Sequence, residues 1–330
     1  MNTLSVGVIG AGHLGSLHAK MLAEIPDVRL AGVMDTDPAR AAAVARRCNT
    51  TALRTLEELL ARADAVTIAT PTSTHHDVAM QALEAGKHVF IEKPITESTG
   101  EAEDLCRVAG AKGLVIQVGH IERFNPAILA LEPYEIRPMF VESHRLAQFN
   151  PRGTDVAVVL DLMIHDIDLI LSFVRSPVKQ VDASGIAVVS DSLDIANARL
   201  QFMNGCVANV TASRISQKKM RKMRLFQPSS YISIDFLQGV SEVFRLASEE
   251  DPREEGTLML GELGSGKHKR KIVYEQPEVR EVNALRHELE LFAGCARTGD
   301  VPVVSGEDGR RALEVAGIIM TKISEQHFAF

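Results

Sequence analysis

Three short segments of this chain carry the groups best suited to chemistry. Gly10-Ala11-Gly12-His13-Leu14-Gly15 is a GxGxxG run. Glycines so spaced permit a tight turn, let backbone approach a pyrophosphate, and let a helix pack closely on a strand. The helix that follows offers N–H groups and a positive dipole end to the anion. Asp35 stands about twenty residues beyond Gly15, where a carboxylate can hold ribose hydroxyls. It would repel a 2′-phosphate, which favours NAD over NADP; Arg40 is the counter-indication, since a nearby guanidinium can serve such a phosphate. Lys93, in Glu92-Lys93-Pro94, is either a solvated loop lysine or a desolvated one with lowered pKa. Asp161 and His165 are spaced i, i+4, one helical turn apart. A carboxylate there can fix the tautomer of an imidazole and raise its basicity. The same spacing also suits a helix cap or a buried polar pair.

These groups need elements to position them. Up to about Gly119, short β-branched runs alternate with helical patterns. Strands are expected at Leu4–Ile9, Arg29–Met34, Ala65–Ala69, His88–Ile91 and Leu114–Val118, and helices at His13–Glu24, Pro38–Arg47, Thr74–Ala85 and Ser98–Lys112. That alternation implies a parallel, doubly wound sheet, whose ligands collect at the strand ends. Ala69-Thr70-Pro71-Thr72-Ser73-Thr74-His75 and Glu92-Lys93-Pro94 both follow strands.

Beyond His120 the texture changes. A helix is expected over Val156–Val174, and strands at Met139–Gln148, Val178–Val189, Ile195–Met203, Cys206–Arg214, Met223–Gln227 and Tyr231–Leu237. Asn204-Gly205 suits a two-residue hairpin. Charged, glycine-containing Ser248–Lys271 reads as an exposed loop, and helices close the chain at Asn283–Arg297 and Gly306–Ser324. The expected architecture is an α/β dinucleotide-binding domain over 1–120 and an α+β domain with a large, mainly antiparallel sheet over 121–330. Phe202, Val207, Ile232 and Phe236 are candidates for an uncovered sheet face, which would mark a homo-oligomer, dimer or tetramer.

Bulk properties narrow the function. The chain has 330 residues, 45% hydrophobic, which is room for one large or two ordinary cored domains. A net charge of −7 gives no support for nucleic-acid binding. No apolar run is long enough to span a membrane, and the N-terminus lacks the basic segment of a signal peptide. The four cysteines are widely spaced, with no CxxC, so neither a zinc knuckle nor a disulfide framework is indicated, and free thiols fit the cytoplasm. His75-His76-Asp77 and His120-x-Glu122 contain ligand types without a zinc spacing, so no metal is expected.

GxGxxG followed by His18, Thr70-Pro71 with His75, Glu92-Lys93-Pro94 and Asp161-x-x-x-His165 occur in one order. Together they resemble the glucose–fructose oxidoreductase / inositol dehydrogenase family, Gfo/Idh/MocA. The resemblance implies a Rossmann domain, an open-faced sheet domain and hydride transfer between NAD and a carbon of a sugar. By position it makes Lys93 and His165 the groups beside the reacting carbinol, with Asp161 supporting them or binding substrate. It also implies that Gly10, Gly12, His13, Leu14 and Asp35 line the adenosine half of the cofactor, and Thr70, Pro71, His75 and Glu92 the nicotinamide half. Lys93-Pro94 is a candidate cis bond. Where many members carry glycines before the Asp-x-x-x-His pair, this chain has Val156-Ala157-Val158-Val159.

A narrower resemblance lies in Gly119-His120-Ile121-Glu122-Arg123-Phe124-Asn125-Pro126, Phe149–Asp155 and Ser213–Arg224. These look like the branch that oxidises the 3-hydroxyl of UDP-N-acetylglucosamine, feeding 3-amino sugars of the lipid A type. His120, Arg152, Arg214 and Lys218 then join Lys93, Asp161 and His165 as the implied substrate contacts. Arg152, Arg214 or Lys218 can supply cations to a diphosphate; the Lys218–Arg224 cluster is equally readable as a solvated hairpin. The competing readings are a relative acting on another sugar, such as UDP-N-acetylglucosaminuronate or inositol, and a non-catalytic NAD sensor.

Overall fold

The computed structural model describes residues 3–150, 156–247, 257–263 and 270–325. Two compact units divide it: 1–124 with 283–314, and 125–282 with 315–330.

The first unit opens with β1 (Leu4–Ile9), α1 (His13–Glu24), β2 (Val28–Met34), α2 (Pro38–Arg47), β3 (Ala52–Leu53), α3 (Leu56–Leu60) and β4 (Ala65–Ile68). It continues with α4 (His75–Glu84), β5 (His88–Glu92), α5 (Thr99–Lys112) and β6 (Ile116–Gly119). The sheet is parallel, in the order β3-β2-β1-β4-β5-β6. Chain direction across the sheet reverses between β1 and β4, and this switch point is where such sheets take ligands. Local chemistry sets the helix ends. Asp37 caps α2 through the amides of Ala39 and Arg40, with Pro38 at the first position. A Ser98–Glu101 capping box starts α5, and Gly113 ends it in the left-handed conformation.

The second unit contains α6 (Pro126–Leu129), β7 (Phe140–Leu146), α7 (Ile164–Val174), β8 (Val178–Ile186), β9 (Ile195–Phe202) and β10 (Val207–Ser213). It goes on through β11 (Met220–Gln227), β12 (Ser230–Asp235), β13 (Val240–Ala247), β14 (Leu258–Leu263) and β15 (Arg270–Glu275). Nine strands form one sheet, β14-β15-β13-β12-β11-β7-β10-β9-β8, in which only the β7–β10 neighbours are parallel. Helix α7 packs on β7 and β10, and α6 on β12 and β13.

Helix α8 (Ala284–Thr298) belongs to the first unit, and α9 (Gly306–Ser324) runs from the first into the second. A single boundary at 120 is therefore corrected: Asn283–Glu314 returns to the Rossmann unit. The reason is burial. Leu289, Phe292, Ala293 and Ala296 form one face of α8 and join the core of Leu4, Val6, Leu22 and Phe90. Phe90 and Phe292 meet edge-on at 5.7 Å.

Other expectations change. Ser248–Lys271 is not all loop, because Leu258–Leu263 pairs antiparallel with Arg270–Tyr274. The Asn204-Gly205 hairpin is a three-residue loop: the Gly205 amide donates to the Phe202 carbonyl, and Gly205 alone takes positive φ. The expected helix from Val156 starts later, with a π-helical turn over Val159–Met163 before α7. The uncovered sheet face is not the one expected. Phe202, Ile232 and Phe236 are 2%, 1% and 7% exposed, and only Val207 of the four lies on the opposite, half-exposed side. That side carries a row of one residue per strand, Val207, Phe140, Phe226, Tyr231, Phe244, Tyr274 and Leu258. Phe226 and Tyr231 stack at 4.9 Å. Beside this row run paired charges, Arg224–Glu142 and Lys222–Asp235.

Candidate active site

The glycine run folds as a cradle. Gly10 has φ +92°, and a Cβ there would stand 2.5 Å from the Ala69 carbonyl oxygen. A Cβ on Gly15 would lie 1.8 Å from the Gly10 oxygen, so α1 packs against β1 only because this residue has none. Gly12 is different: a Cβ there would meet nothing within 4 Å. Its space is open, and α1 begins there with no side-chain cap and no acidic residue in its first turn. Helices α2, α3, α5, α6 and α8 all carry side-chain caps. Helices α4 and α7 also lack one, but only α1 follows the glycine run, whose first amides can receive an anion such as a dinucleotide pyrophosphate. His13 and Leu14 are exposed on that first turn. Asp35 sits just past β2, receiving the Ala11 amide on Oδ2 at 2.6 Å and the Asp37 amide on Oδ1 at 2.7 Å. It holds the glycine loop. Arg40 is engaged with Asp37 at 3.2 Å.

Lys93 is half-buried at the end of β5, and its bond to Pro94 is cis. Two buried histidines brace the loop around it. His75 places Nδ1 2.9 Å from the Pro94 carbonyl oxygen and Nε2 3.0 Å from that of Thr70. Each ring nitrogen faces a backbone carbonyl, and a ring with one N–H donates to one of them, so His75 sits between the Thr70-Pro71 turn and the Lys93-Pro94 turn. Glu92 is buried too, with Oε1 3.0 Å from His18 Nε2 on α1 and Oε2 accepting the Lys93 amide at 3.3 Å. His75 and Glu92 thus brace the loop that carries Lys93. His120 is buried immediately after β6.

In the second unit Asp161 lies within the π-helical turn and His165 in the first turn of α7, both half-buried. Single π turns inside helices are frequent at functional sites. The helix is anchored beside His165: Asp166 accepts from Arg145 Nε at 2.7 Å and Nη2 at 3.2 Å, both side chains 2% exposed. Such a bidentate, desolvated pair fixes orientation. Arg214 already has partners within its own unit. It is buried, its Nη2 donates to the Val156 carbonyl, and its Nε lies 3.9 Å from Asp194. Asp194 also accepts the amides of Val188, Val189 and Ser190. Burial opposes its ionisation, but these amides and the Ser190 hydroxyl hold its carboxyl well below the ordinary range. Lys218 is exposed in the turn before β11, and Arg152 lies outside the described residues. Asp166 and Asp194 carried no motif; Asp166 lies in an apolar helical run, whereas Asp194 stands in the polar stretch Ser190–Asn197.

Comparison with known proteins agrees with this arrangement. Residues 4–120 match the model of the oxidoreductase family with NAD-binding Rossmann fold, and residues 138–227 the GFO/IDH/MocA C-terminal domain. The chain is 38% identical over 314 residues to UDP-N-acetylglucosamine 3-dehydrogenase of Acidithiobacillus ferrooxidans, covering 95% of each. It is 28% identical to scyllo-inositol 2-dehydrogenase (NAD(+)) of Bacillus subtilis, over 95% of this chain and 92% of that one. The solved A. ferrooxidans enzyme, GnnA, superposes with a TM-score of 0.87 over 98% of this chain and 99% of that one, at 37% identity. Levoglucosan dehydrogenase with NADH and levoglucosan shares the fold at 20% identity, with a TM-score of 0.82 over 98% and 97%. Cradle, strand order and sequence likeness together make this chain a member of the Gfo/Idh/MocA oxidoreductase family, a dehydrogenase of CH–OH groups with an NAD-binding Rossmann domain.

Proposed function

We propose that this protein oxidises the 3-hydroxyl of UDP-N-acetylglucosamine to the ketone. The observation that carries the reading is the full-length likeness to the A. ferrooxidans UDP-N-acetylglucosamine 3-dehydrogenase. NAD, held by the amides of the Gly10–Gly15 cradle and by Asp35, supplies the hydride acceptor. His165 takes the hydroxyl proton as the C3–H bond breaks and the carbonyl forms. A secondary alcohol is a weak acid, so a base acting in the same step contributes roughly 10²–10⁴ in rate. Lys93, protonated, donates a hydrogen bond to the oxygen as charge builds there. Asp161 supports His165 or holds the sugar. Lys218 and Arg152 remain the cations proposed for the diphosphate. The ketone would feed transamination to a 3-amino sugar of the lipid A type, in the cytoplasm.

The test is NADH formation across UDP-N-acetylglucosamine, the corresponding uronate and free inositols, with mass analysis for loss of two hydrogens. Turnover on inositol but not on the UDP-sugar would overturn the substrate. Lys93→Met and His165→Asn should each remove turnover while NAD binding stays within about twofold. Near-normal activity in both would refute the roles. We also propose that copies of this chain associate through the Phe140–Phe226–Tyr231–Phe244–Tyr274 face, since large exposed apolar faces mark interfaces. Among the described residues no helix is long and apolar enough to cross a membrane. A monomer by light scattering at micromolar concentration would contradict the assembly.

A further inference from the structure

We propose that His18 is a positioning residue: through Glu92 it fixes the backbone of Lys93 and so links the dinucleotide-binding helix to the proton-handling loop. This rests on the reading of Lys93 given above. His18 lies on α1, three residues after Gly15, and is 0% exposed. Its Nε2–H donates to Glu92 Oε1 at 3.0 Å, and among the described residues Nδ1 has no hydrogen-bond partner. That pattern fits a neutral imidazole with its proton on Nε2. An unsolvated lone pair is tolerable there, whereas an imidazolium would leave a buried N–H⁺ unpaired. The second oxygen of Glu92 receives the Lys93 amide at 3.3 Å.

The surroundings are built for this carboxylate. Gly119 faces Glu92 across the β5–β6 pair, and a Cβ there would sit 2.9 Å from Oε2. The His18 ring is also held edge-on by Phe90 at 5.3 Å. The missing Cβ at Gly119 leaves the space that this carboxylate fills. A buried polar pair is seldom worth more to stability than well-packed apolar side chains. Its gain here is placement. Lys93 leaves β5 at the angle that Glu92 sets, and Glu92 stands where His18 holds it.

The test compares His18→Leu, which removes the donor, with His18→Gln, whose amide nitrogen can return one to the Nε2 position. Hydrogen exchange of the Lys93 amide, read by mass spectrometry on the segment 88–97 of the unliganded protein, needs no substrate. Exchange is expected to rise at least tenfold in the leucine variant and to return within threefold of wild type in the glutamine variant. Turnover should follow the same order. The leucine variant should lose kcat tenfold or more, with KM for NAD within twofold. Unchanged exchange in His18→Leu, or equal losses in both folded variants, would overturn the proposal. Normal turnover of Lys93→Met alone would instead overturn the reading of Lys93, leaving the exchange result to stand separately.

Discussion

Replacing Gly12 by alanine separates two tasks that the glycine loop performs together. At Gly10 and Gly15 a methyl group collides with backbone, 2.5 Å and 1.8 Å from carbonyl oxygens. At Gly12 it meets nothing within 4 Å, and φ −68°, ψ −160° is open to any residue. Alanine is a poorer N-cap than glycine, but it also lowers the entropy of the unfolded chain by a similar amount. The net change in stability should stay within about 1 kcal/mol. The methyl would occupy the space through which a pyrophosphate reaches the first amides of α1. Losing one hydrogen bond to a charged group costs about 1.5–3 kcal/mol, which is roughly 10- to 150-fold in Kd. NADH fluorescence titration reads the affinity and urea unfolding reads the stability. Gly15→Ala serves as the control, with an overpacking cost of about 3 kcal/mol. Wild-type affinity in Gly12→Ala would refute the cradle. A large loss of stability there would refute the open space.

Three further outcomes follow from buried groups. Asp166→Ala leaves Arg145 charged and desolvated, so urea unfolding should show a loss of about 3–5 kcal/mol; a loss below about 1 kcal/mol would contradict the pair. Asp194 is held ionised in the folded state, so its contribution is complete above the ordinary carboxylate pKa and fades as pH falls below it, towards the folded value. The stability gap between wild type and Asp194→Asn should therefore be constant from neutrality to about pH 5 and narrow below about pH 4; a gap that widens on acidification would contradict this sign. Burial first, and then Glu307, push the Cys106 thiol up to about 11. Its alkylation by iodoacetamide at pH 7.5 should run roughly 10²-fold or more below that of an ordinary thiol, followed by peptide mass analysis.

The Rossmann half was legible because its signals are local. Periodicity, the Asp37-Pro38 start of α2 and the spacing from Gly10 to Asp35 each depend on a few neighbouring residues. Two short elements, Ala52–Leu53 and Leu56–Leu60, escaped because neither is long enough to show a period. In the second unit the strands up to β12 could be read, but β13, β14 and β15 escaped, and so did which parity of residues faces the helices. Along β12, Tyr231 and Ile232 are both apolar; only the packing of α6 decides that Ile232 is covered. The same limit applied to Arg214. Its sequence context offers a cation, and burial against Asp194 and the Val156 carbonyl shows what that cation already holds. His75 was legible as part of a motif, yet its partners are backbone carbonyls that no spacing rule names.

The return of α8 to the first core bears on how the protein is made. Phe292 packs on Phe90, and Leu289 joins Leu4 and Val6, so strands translated at the outset wait for residues near the far end. At ribosomal rates of about 5–20 residues per second, the interval between residues 124 and 296 is on the order of 10–30 s. During it the nascent nucleotide-binding half exposes an apolar face to chaperones. Its completion rests on contacts of long sequence separation, which slow folding.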